Sequence, residues 1–144
     1  MSVEYNPKYL KYFYDPVWES FEDGFWQGIK QGKLVFQKCS ECNTFSHPPR
    51  VRCPKCKGDK WEWVESSGKG HIYSWTVLRQ EVHPAFRVPF EIVLVEMDNE
   101  KGVRIISNMV DCNPDDITFD MPVELCFKDA AKGWTLPLFK KVGS

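Results

Sequence analysis

The spacing of four cysteines constrains this chain more than any other feature. Cys39 and Cys42 form one C-x2-C pair, and Cys53 and Cys56 form a second pair after ten intervening residues. Two such pairs that face each other supply four thiolates at the ~2.3 Å distance and tetrahedral angles that Zn²⁺ prefers. The spacing therefore predicts a four-cysteine zinc site, and an iron–sulfur cluster is the alternative for the same ligands.

Four protein ligands close the coordination sphere, so the predicted zinc is structural rather than catalytic and holds the middle of the chain folded. Each pair needs a residue that tolerates a positive φ after its second cysteine. Asn43 meets this need in the first pair, whereas the second pair has Lys57 followed by Gly58. We interpret His47, which lies in the spacer, as a turn residue and not as a ligand.

Charge is unevenly distributed along the chain. The whole chain carries a formal charge of −1, but residues 30–60 carry eight basic and two acidic side chains, a local balance of +6. A near-neutral total disfavours nucleic acid as a partner, since nucleic-acid domains are commonly strongly basic. The basic segment is either a surface for anionic groups or simply a solvated face that meets water or an acidic partner.

The periodicity of apolar residues changes once along the chain. Asp15 and Pro16 resemble a helix start, and apolar residues at helical spacing predict a helix over 16–31 that ends at Gly32. Gly24 and Gly28 inside it indicate either close approach of another backbone or a partner, or a loosely formed helix. Alternation of period two then predicts strands over about 70–78, 90–97, 103–109, 122–127 and 135–139. Five strands without a convincing helix predict a small barrel of the OB type.

Motifs for autonomous catalysis are missing from the sequence. It contains no nucleophile elbow, Walker A loop, Rossmann glycine pattern or metalloprotease helix, and Ser67 to Gly70 is interpreted as a turn. Cys112 and Cys126 receive no role, because no local motif places a histidine beside either thiol. We therefore expect no turnover by the chain alone. The sequence also has no apolar run of the ~18 residues that a membrane helix needs and no secretory signal pattern, so we expect a cytoplasmic protein.

Several segments together resemble the DUF35 family. They are the run from Phe25 to Leu34, the cysteine pairs with Pro48-Pro49-Arg50 between them, Trp63 to Gly70, His83 to Phe86, Asn108 to Val110, and Met121 to Glu124. The resemblance covers about residue 20 to the end, and Lys57 departs from the glycine that many members carry there. It implies a mainly β chain with an N-terminal helical arm (1–33), a rubredoxin-like zinc ribbon (34–65) and a five-stranded OB-fold barrel (66–144).

The same resemblance implies a function. Members of the family that this chain resembles are commonly accessory, non-catalytic subunits of thiolase-superfamily enzymes, or of acyl-CoA hydratases and aldolases. The resemblance therefore predicts a hetero-oligomer, specifically a heterotetramer. A coenzyme A ester is then the expected shared ligand. Arg50 beside the Pro-Pro turn and Arg87 are the candidates to pair with its phosphates, and Phe86 is the candidate to cover adenine or pantetheine.

The N-terminal aromatics have two interpretations. Nine aromatic residues fall within the first 26 positions, and they either contact the partner enzyme or fill the gap between arm and ribbon.

Two functions of other classes stay open at this point. One is a single-stranded nucleic-acid binder that uses the barrel face, although such faces present aromatics among basic residues, and the segment 90–97 has only acids as charges. The other is a small thioesterase-like hydrolase, for which no base and nucleophile can be paired.

Overall fold

The computed structural model describes residues 18–130 and 133–143. The predicted helix start at Asp15 and Pro16 and the aromatics before Trp18 lie outside the described residues. None of the helices within these ranges is both long and apolar enough to cross a membrane.

The helix is shorter than the sequence predicts. A 3₁₀ turn, Ser20–Glu22, leads into helix α1, Asp23–Lys30, and Glu19 before it is extended with φ −82° and ψ 160°. The prediction of helix from residue 16 is therefore wrong for Glu19. The backbone amide of Glu19 donates to Glu22 Oε2 at 2.8 Å, which satisfies one amide at this end and fixes where the helix begins. Gly32 with φ +73° ends it.

The cysteine-bearing segment forms a three-stranded antiparallel sheet. Strand β1, Val35–Cys39, lies between β2, Phe45–Ser46, and β3, Trp61–Glu65. Its register pairs Gln37 with Ser46 on one side and with Trp63 on the other. The sheet ends at Cys39, so the first cysteine pair follows the central strand directly.

The rest of the chain forms the barrel. Its strands are β4, Lys69–Leu78; β5, Phe90–Met97; β6, Arg104–Ser107; β7, Met109–Val110; β8, Pro122–Asp129; and β9, Thr135–Lys141. They lie in the order β6-β5-β4-β8-β9-β7, with every pair antiparallel except β7 and β9.

One bent strand closes the barrel. Only Asn108 separates β6 from β7, and β6 pairs with β5 while β7 pairs in parallel with β9. The two short strands are thus the halves of the single strand predicted over 103–109. The prediction of a mainly β chain with a five-stranded OB-fold barrel is confirmed.

Helix, ribbon and barrel share one core. Phe25 and Ile29 of α1 and Phe36 of β1 are buried together with barrel residues such as Val93 and Phe139. Phe36 and Phe139 are fully buried. Because burying a large apolar side chain contributes roughly 1.5 to 3 kcal/mol, this shared core fixes the ribbon against the barrel.

The interior helix glycine Gly24 has a packing role. A Cβ built on Gly24 would lie 2.0 Å from Cε2 of Trp63 on β3. The close approach that the sequence indicated is thus made by a side chain of the same chain, and the helix is well formed. The indole occupies the space that any other residue at position 24 would need.

Replacing Gly24 by alanine tests this contact. In an exposed helix the change stabilises by roughly 0.8 to 1 kcal/mol, but overpacking against an indole costs roughly 1 to 3 kcal/mol. We expect Gly24→Ala to lower the free energy of unfolding, as measured by denaturant titration with zinc held constant. Gln27→Ala on the exposed side of α1 is the matched control and should change it little. A stabilised Gly24→Ala variant would contradict the packing role.

Candidate functional site

The four cysteines come together as their spacing predicts. Their Sγ atoms all lie within 4.8 Å of one another, with Cys39 and Cys56 at 3.6 Å and Cys42 and Cys53 at 3.5 Å. A tetrahedral zinc with bonds of about 2.3 Å requires sulfur–sulfur separations of about 3.8 Å. The donor set and its spacing therefore fit Zn²⁺ without rearrangement of the backbone.

The backbone of both cysteine pairs turns tightly behind the sulfurs. Asn43 has φ +62° and Lys57 has φ +66°, and their amides donate to the carbonyls of Cys39 and Cys53 at 2.9 and 3.0 Å. The amide of Lys55 points at Cys53 Sγ from 3.4 Å. Lys57 itself adopts the left-handed conformation, so the glycine one place later is not what makes this turn.

Local hydrogen bonds favour the thiolate form needed for metal binding. The hydroxyl and amide of Thr44 lower the pKa of Cys42 to about 6, and Cys42 Sγ lies 3.2 Å from Thr44 Oγ1. Backbone amides, with that of Cys56 first, also lower the pKa of Cys53. The Gly58 amide lowers the pKa of Cys56, but burial and the three neighbouring sulfurs outweigh it and raise that pKa to about 12. Thiolates are the zinc-binding form of cysteine, so Cys42 and Cys53 are favoured in that form by their surroundings, and Cys56 loses its proton when a cation binds.

Metal analysis tests the centre directly. We expect about one zinc and negligible iron per chain, because four thiolate ligands complete the coordination sphere of a structural zinc. Cys39→Ser should lose the metal and the ordered ribbon, while Cys112→Ser, which lies outside the cluster, should keep both. Stoichiometric iron, or a fully folded metal-free chain, would contradict the assignment.

A groove of about 540 Å³ runs between the helix, the ribbon and the barrel. Its walls include Trp26 of α1 and the Pro48-Pro49 turn of the ribbon, and its floor includes Leu94, Ile106 and Leu138 of the barrel. The volume and the mainly apolar lining are typical of binding grooves. All three parts of the fold thus contribute to one concave surface.

Pro137 explains why the groove exists. It lies in β9 opposite β6, and a proline has no amide to donate to a neighbouring strand. The hydroxyl of Ser107 donates to the Pro137 carbonyl at 2.8 Å, and regular pairing resumes only where the Phe139 amide donates to the Asn108 carbonyl at 3.1 Å. β6 and the first part of β9 therefore remain unpaired with each other, and the groove lies over that gap.

His47 lines this groove, which its interpretation as a turn residue did not anticipate. It lies in the bend after β2 as expected, but its ring is 5.4 Å from that of Phe25 and 5.2 Å from that of Phe36, measured between centroids. Burial lowers the pKa of His47 to about 4. The neighbouring Pro-Pro sequence was a signal for a fixed turn, but nothing in it showed that the ring faces the core.

His47 should make stability depend on pH in a defined direction. The unfolded histidine, with a pKa near 6.5, takes up a proton before the folded one, so its contribution is present above pH 6.5 and is lost between 6.5 and 4. Between pH 7 and 5.5 wild type should lose about 1 kcal/mol of unfolding free energy relative to His47→Phe. Denaturant titrations at both values, with zinc content checked, measure this. A difference that is independent of pH would contradict the burial of a neutral ring.

The three predicted coenzyme A residues lie in two different parts of the structure. Arg50 is exposed on the ribbon directly after the Pro48-Pro49 wall, and its amide and carbonyl are held by Gln37 at 2.8 and 3.0 Å. Phe86 and Arg87 lie in the loop between β4 and β5, where the Phe86 ring is 5.1 Å from that of Phe90. The lining of the groove contains none of the three. Arg50 alone is next in sequence to a lining residue.

The described aromatics of the arm pack within the chain. Trp18 stacks on Trp26 at 5.5 Å, and both meet the edge or face of Trp134 from the barrel at 5.9 and 5.8 Å. Lys30 lies over the rings of Trp18 and Trp134. These tryptophans therefore join the arm to the barrel, whereas Phe21 is 36% exposed.

Strand β5 is fully buried on one face only. Val93, Val95 and Met97 face the core, whereas Ile92 and Leu94 on the other face are half-buried. Leu94 lies beside Ile106, which is 73% exposed. This outer face forms part of the groove floor and is not covered within the described residues.

Comparison with known proteins places the chain in a family. Residues 26–62 match the rubredoxin-like zinc ribbon domain of ChsH2, and residues 63–128 match the C-terminal OB-fold domain of ChsH2. The Methanocaldococcus jannaschii DUF35 domain-containing scaffold protein is 36% identical over 110 residues, which are 72% of this chain and 74% of that protein.

Two further relatives extend this comparison. A probable enoyl-CoA hydratase alpha subunit of Thermomonospora curvata is 40% identical over 120 residues, 83% of this chain, but the chain spans only 37% of that protein. A solved structure described as the Ltp2-ChsH2(DUF35) aldolase has a chain that is 37% identical, with a TM-score of 0.82, covering 88% of this chain and 98% of that one. The chain therefore belongs to the DUF35 family of zinc-ribbon and OB-fold proteins.

Proposed function

We propose that this chain is a non-catalytic subunit of an acyl-CoA-processing complex. The observation that carries the proposal is the match along nearly its whole length to the DUF35 chain of an aldolase structure, joined to a metal site with no open coordination position. The hydratase alpha subunit and the scaffold proteins among its relatives support the same role.

The chemistry of the described residues supports a role without turnover. Burial raises the pKa of both Cys112 and Cys126, which keeps the two thiols outside the zinc cluster protonated. A nucleophilic thiol needs the opposite shift and an adjacent base. His71 Nδ1 lies 2.9 Å from Asp98 Oδ1, and His47 lies between aromatic rings, so neither ring meets one of these thiols in a described contact.

The names of the relatives indicate the class of the proposed partner enzyme. Their names point to an enoyl-CoA hydratase or to an aldolase, and a thiolase-superfamily partner in a heterotetramer is the narrower form of the proposal. The cytoplasm is the compartment that we expect for such a complex. Single-stranded nucleic acid is less well supported, since Arg104, which lies 3.7 Å over the Tyr73 ring, is already paired with Glu96.

The chain is further proposed to help bind the CoA ester through Arg50, Phe86 and Arg87. The exposed guanidinium of Arg50 beside the Pro-Pro wall is suited to bidentate pairing with a phosphate. Phe86 is 37% exposed, so part of its ring is accessible to adenine or pantetheine. Because Arg50 and the 86–87 pair lie on different parts of the fold, they would contact different portions of the ligand.

Co-purification of the untagged chain from its native host tests the subunit role. We expect an acyl-CoA enzyme in stoichiometric amount and no turnover by the isolated chain. A chain that purifies alone and hydrolyses CoA esters would contradict the proposal.

Kinetics of the complex test the CoA contacts. The double variant Arg50→Ala and Arg87→Ala should raise KM for the CoA ester severalfold with a smaller change in kcat, because the lost contacts bind ground state and transition state alike. Lys60→Ala, which removes another exposed ribbon cation, is the matched control. Calorimetry with coenzyme A and dephospho-CoA separates the 3′-phosphate from the rest. Equal binding of both ligands by both proteins would leave the subunit with a scaffolding role.

A further inference from the structure

The free edge of strand β6 presents unpaired backbone groups. The amide of Met97 donates to the Val103 carbonyl at 3.0 Å, so this pair bonds across the β5–β6 turn. Bonded pairs alternate along an antiparallel ladder, and the next two are Val95 with Ile105 and Val93 with Ser107. The amides and carbonyls of Arg104 and Ile106 therefore face away from β5.

These groups point toward β9 but find no ladder there. The Asn108 carbonyl accepts from the Phe139 amide of β9. Asn108 is two residues beyond Ile106, so its carbonyl lies on the same side of the strand, and the free edge of β6 therefore faces β9. Pro137 has no amide to offer, and its carbonyl is taken by the Ser107 hydroxyl. Within the described residues, the Arg104 and Ile106 amides and carbonyls have no backbone partner.

The edge lies within the groove. Arg104, Ile106 and Ser107 line the groove together with Trp26, Pro48 and Pro49. A free strand edge ordinarily attracts another strand, and natural proteins cover or charge such edges. A groove of about 540 Å³ has the size of a site for a short segment, which matches one added strand and not a whole folded domain.

Side chains and charges define what such a chain must carry. The floor at Leu94, Ile106 and Leu138 is apolar, so side chains that point down from an added strand must be apolar at alternate positions. The lining itself contains one acidic residue, Glu22, and one basic residue, Arg104, and its ribbon end adjoins the exposed Arg50, within the segment 30–60 whose balance is +6. An acidic side chain at that end complements this charge.

We propose that an extended segment of the partner subunit adds to β6 as a further strand in this groove. The segment pairs with the backbone of Arg104 and Ile106, places apolar side chains on Leu94 and Ile106, and ends with an acidic residue near Arg50. Backbone pairing gives such complexes their affinity, and the pockets for alternate side chains give specificity. The inference rests on the proposed function only in naming the partner as the enzyme subunit.

Amide hydrogen exchange on the zinc-loaded full chain tests the proposal. The probe is a capped peptide of about eight residues, a common strand length, with alternating valine and threonine and one terminal glutamate. Unpaired amides exchange quickly, so we expect Arg104 and Ile106 to exchange at least about tenfold more slowly when the peptide is bound. The same peptide methylated on its central amide nitrogens cannot pair and should bind at least about tenfold more weakly.

Variants of the chain provide the complementary measurement. Ile106→Pro removes one donor at an edge position, where proline is tolerated, and should weaken the peptide at least about tenfold. Ile106→Val keeps the amide and should stay within about twofold. The methylated peptide leaves the protein unchanged, so it decides the question if Ile106→Pro fails to fold. Equal affinity of methylated and unmethylated peptides would overturn the proposal, as would protection of these amides by coenzyme A and not by the peptide.

The co-purified complex separates this inference from the proposed function. If the enzyme is present and the Arg104 and Ile106 amides are protected relative to the free chain, the subunit role and the strand addition are both supported. If the enzyme is present and these amides exchange as fast as in the free chain, the strand addition is wrong and the subunit role remains. If no enzyme co-purifies, the subunit role fails, and the peptide experiment alone decides the strand addition.

Discussion

The coordination of one metal ion by four thiolates is the interaction on which the rest of this fold depends. The ribbon is a sheet of three short strands, and Phe36, its largest buried side chain, belongs to the core shared with the barrel. So thin a sheet has little core of its own, whereas structural zinc in finger peptides contributes ~10 to 16 kcal/mol of apparent binding free energy. The metal therefore fixes β1, the two cysteine turns and the Pro48-Pro49 segment between them. Through that segment it also fixes one wall of the groove.

A second constraint comes from one residue without an amide. Pro137 prevents β6 from pairing with β9, so the barrel is closed by β7 alone and stays split beside β6. The helix α1 and the ribbon flank this split. The helix, the ribbon and the gap in the barrel thus form one concave surface. This arrangement suits a subunit whose task is to hold other molecules rather than to transform them.

Features whose chemistry fixes the residue spacing could be predicted from the sequence, whereas features that depend on which elements meet could not. The two C-x2-C pairs predicted the zinc site, and the alternation of apolar residues predicted the barrel, including a strand over 103–109 but not its bend at Asn108. The groove could not be predicted, because nothing in the sequence shows that Pro137 lies beside Ser107. The buried ring of His47 and the contact of Gly24 with Trp63 were missed for the same reason, since both depend on how the helix sits on the ribbon. The predicted start of the helix was also wrong at Glu19, where a local hydrogen bond outweighs the apolar periodicity.

We infer that zinc supports the function from outside any reaction centre, because it folds the ribbon wall of the groove that we propose as the partner's contact surface. Stepwise chelation of zinc from the assembled complex, followed by native mass spectrometry with hydrogen exchange, tests this inference. We expect the partner to dissociate in proportion to zinc loss, while the amides that pair β4 with β5 stay protected. A zinc-free chain that remains in the complex with an unaltered interface would contradict it.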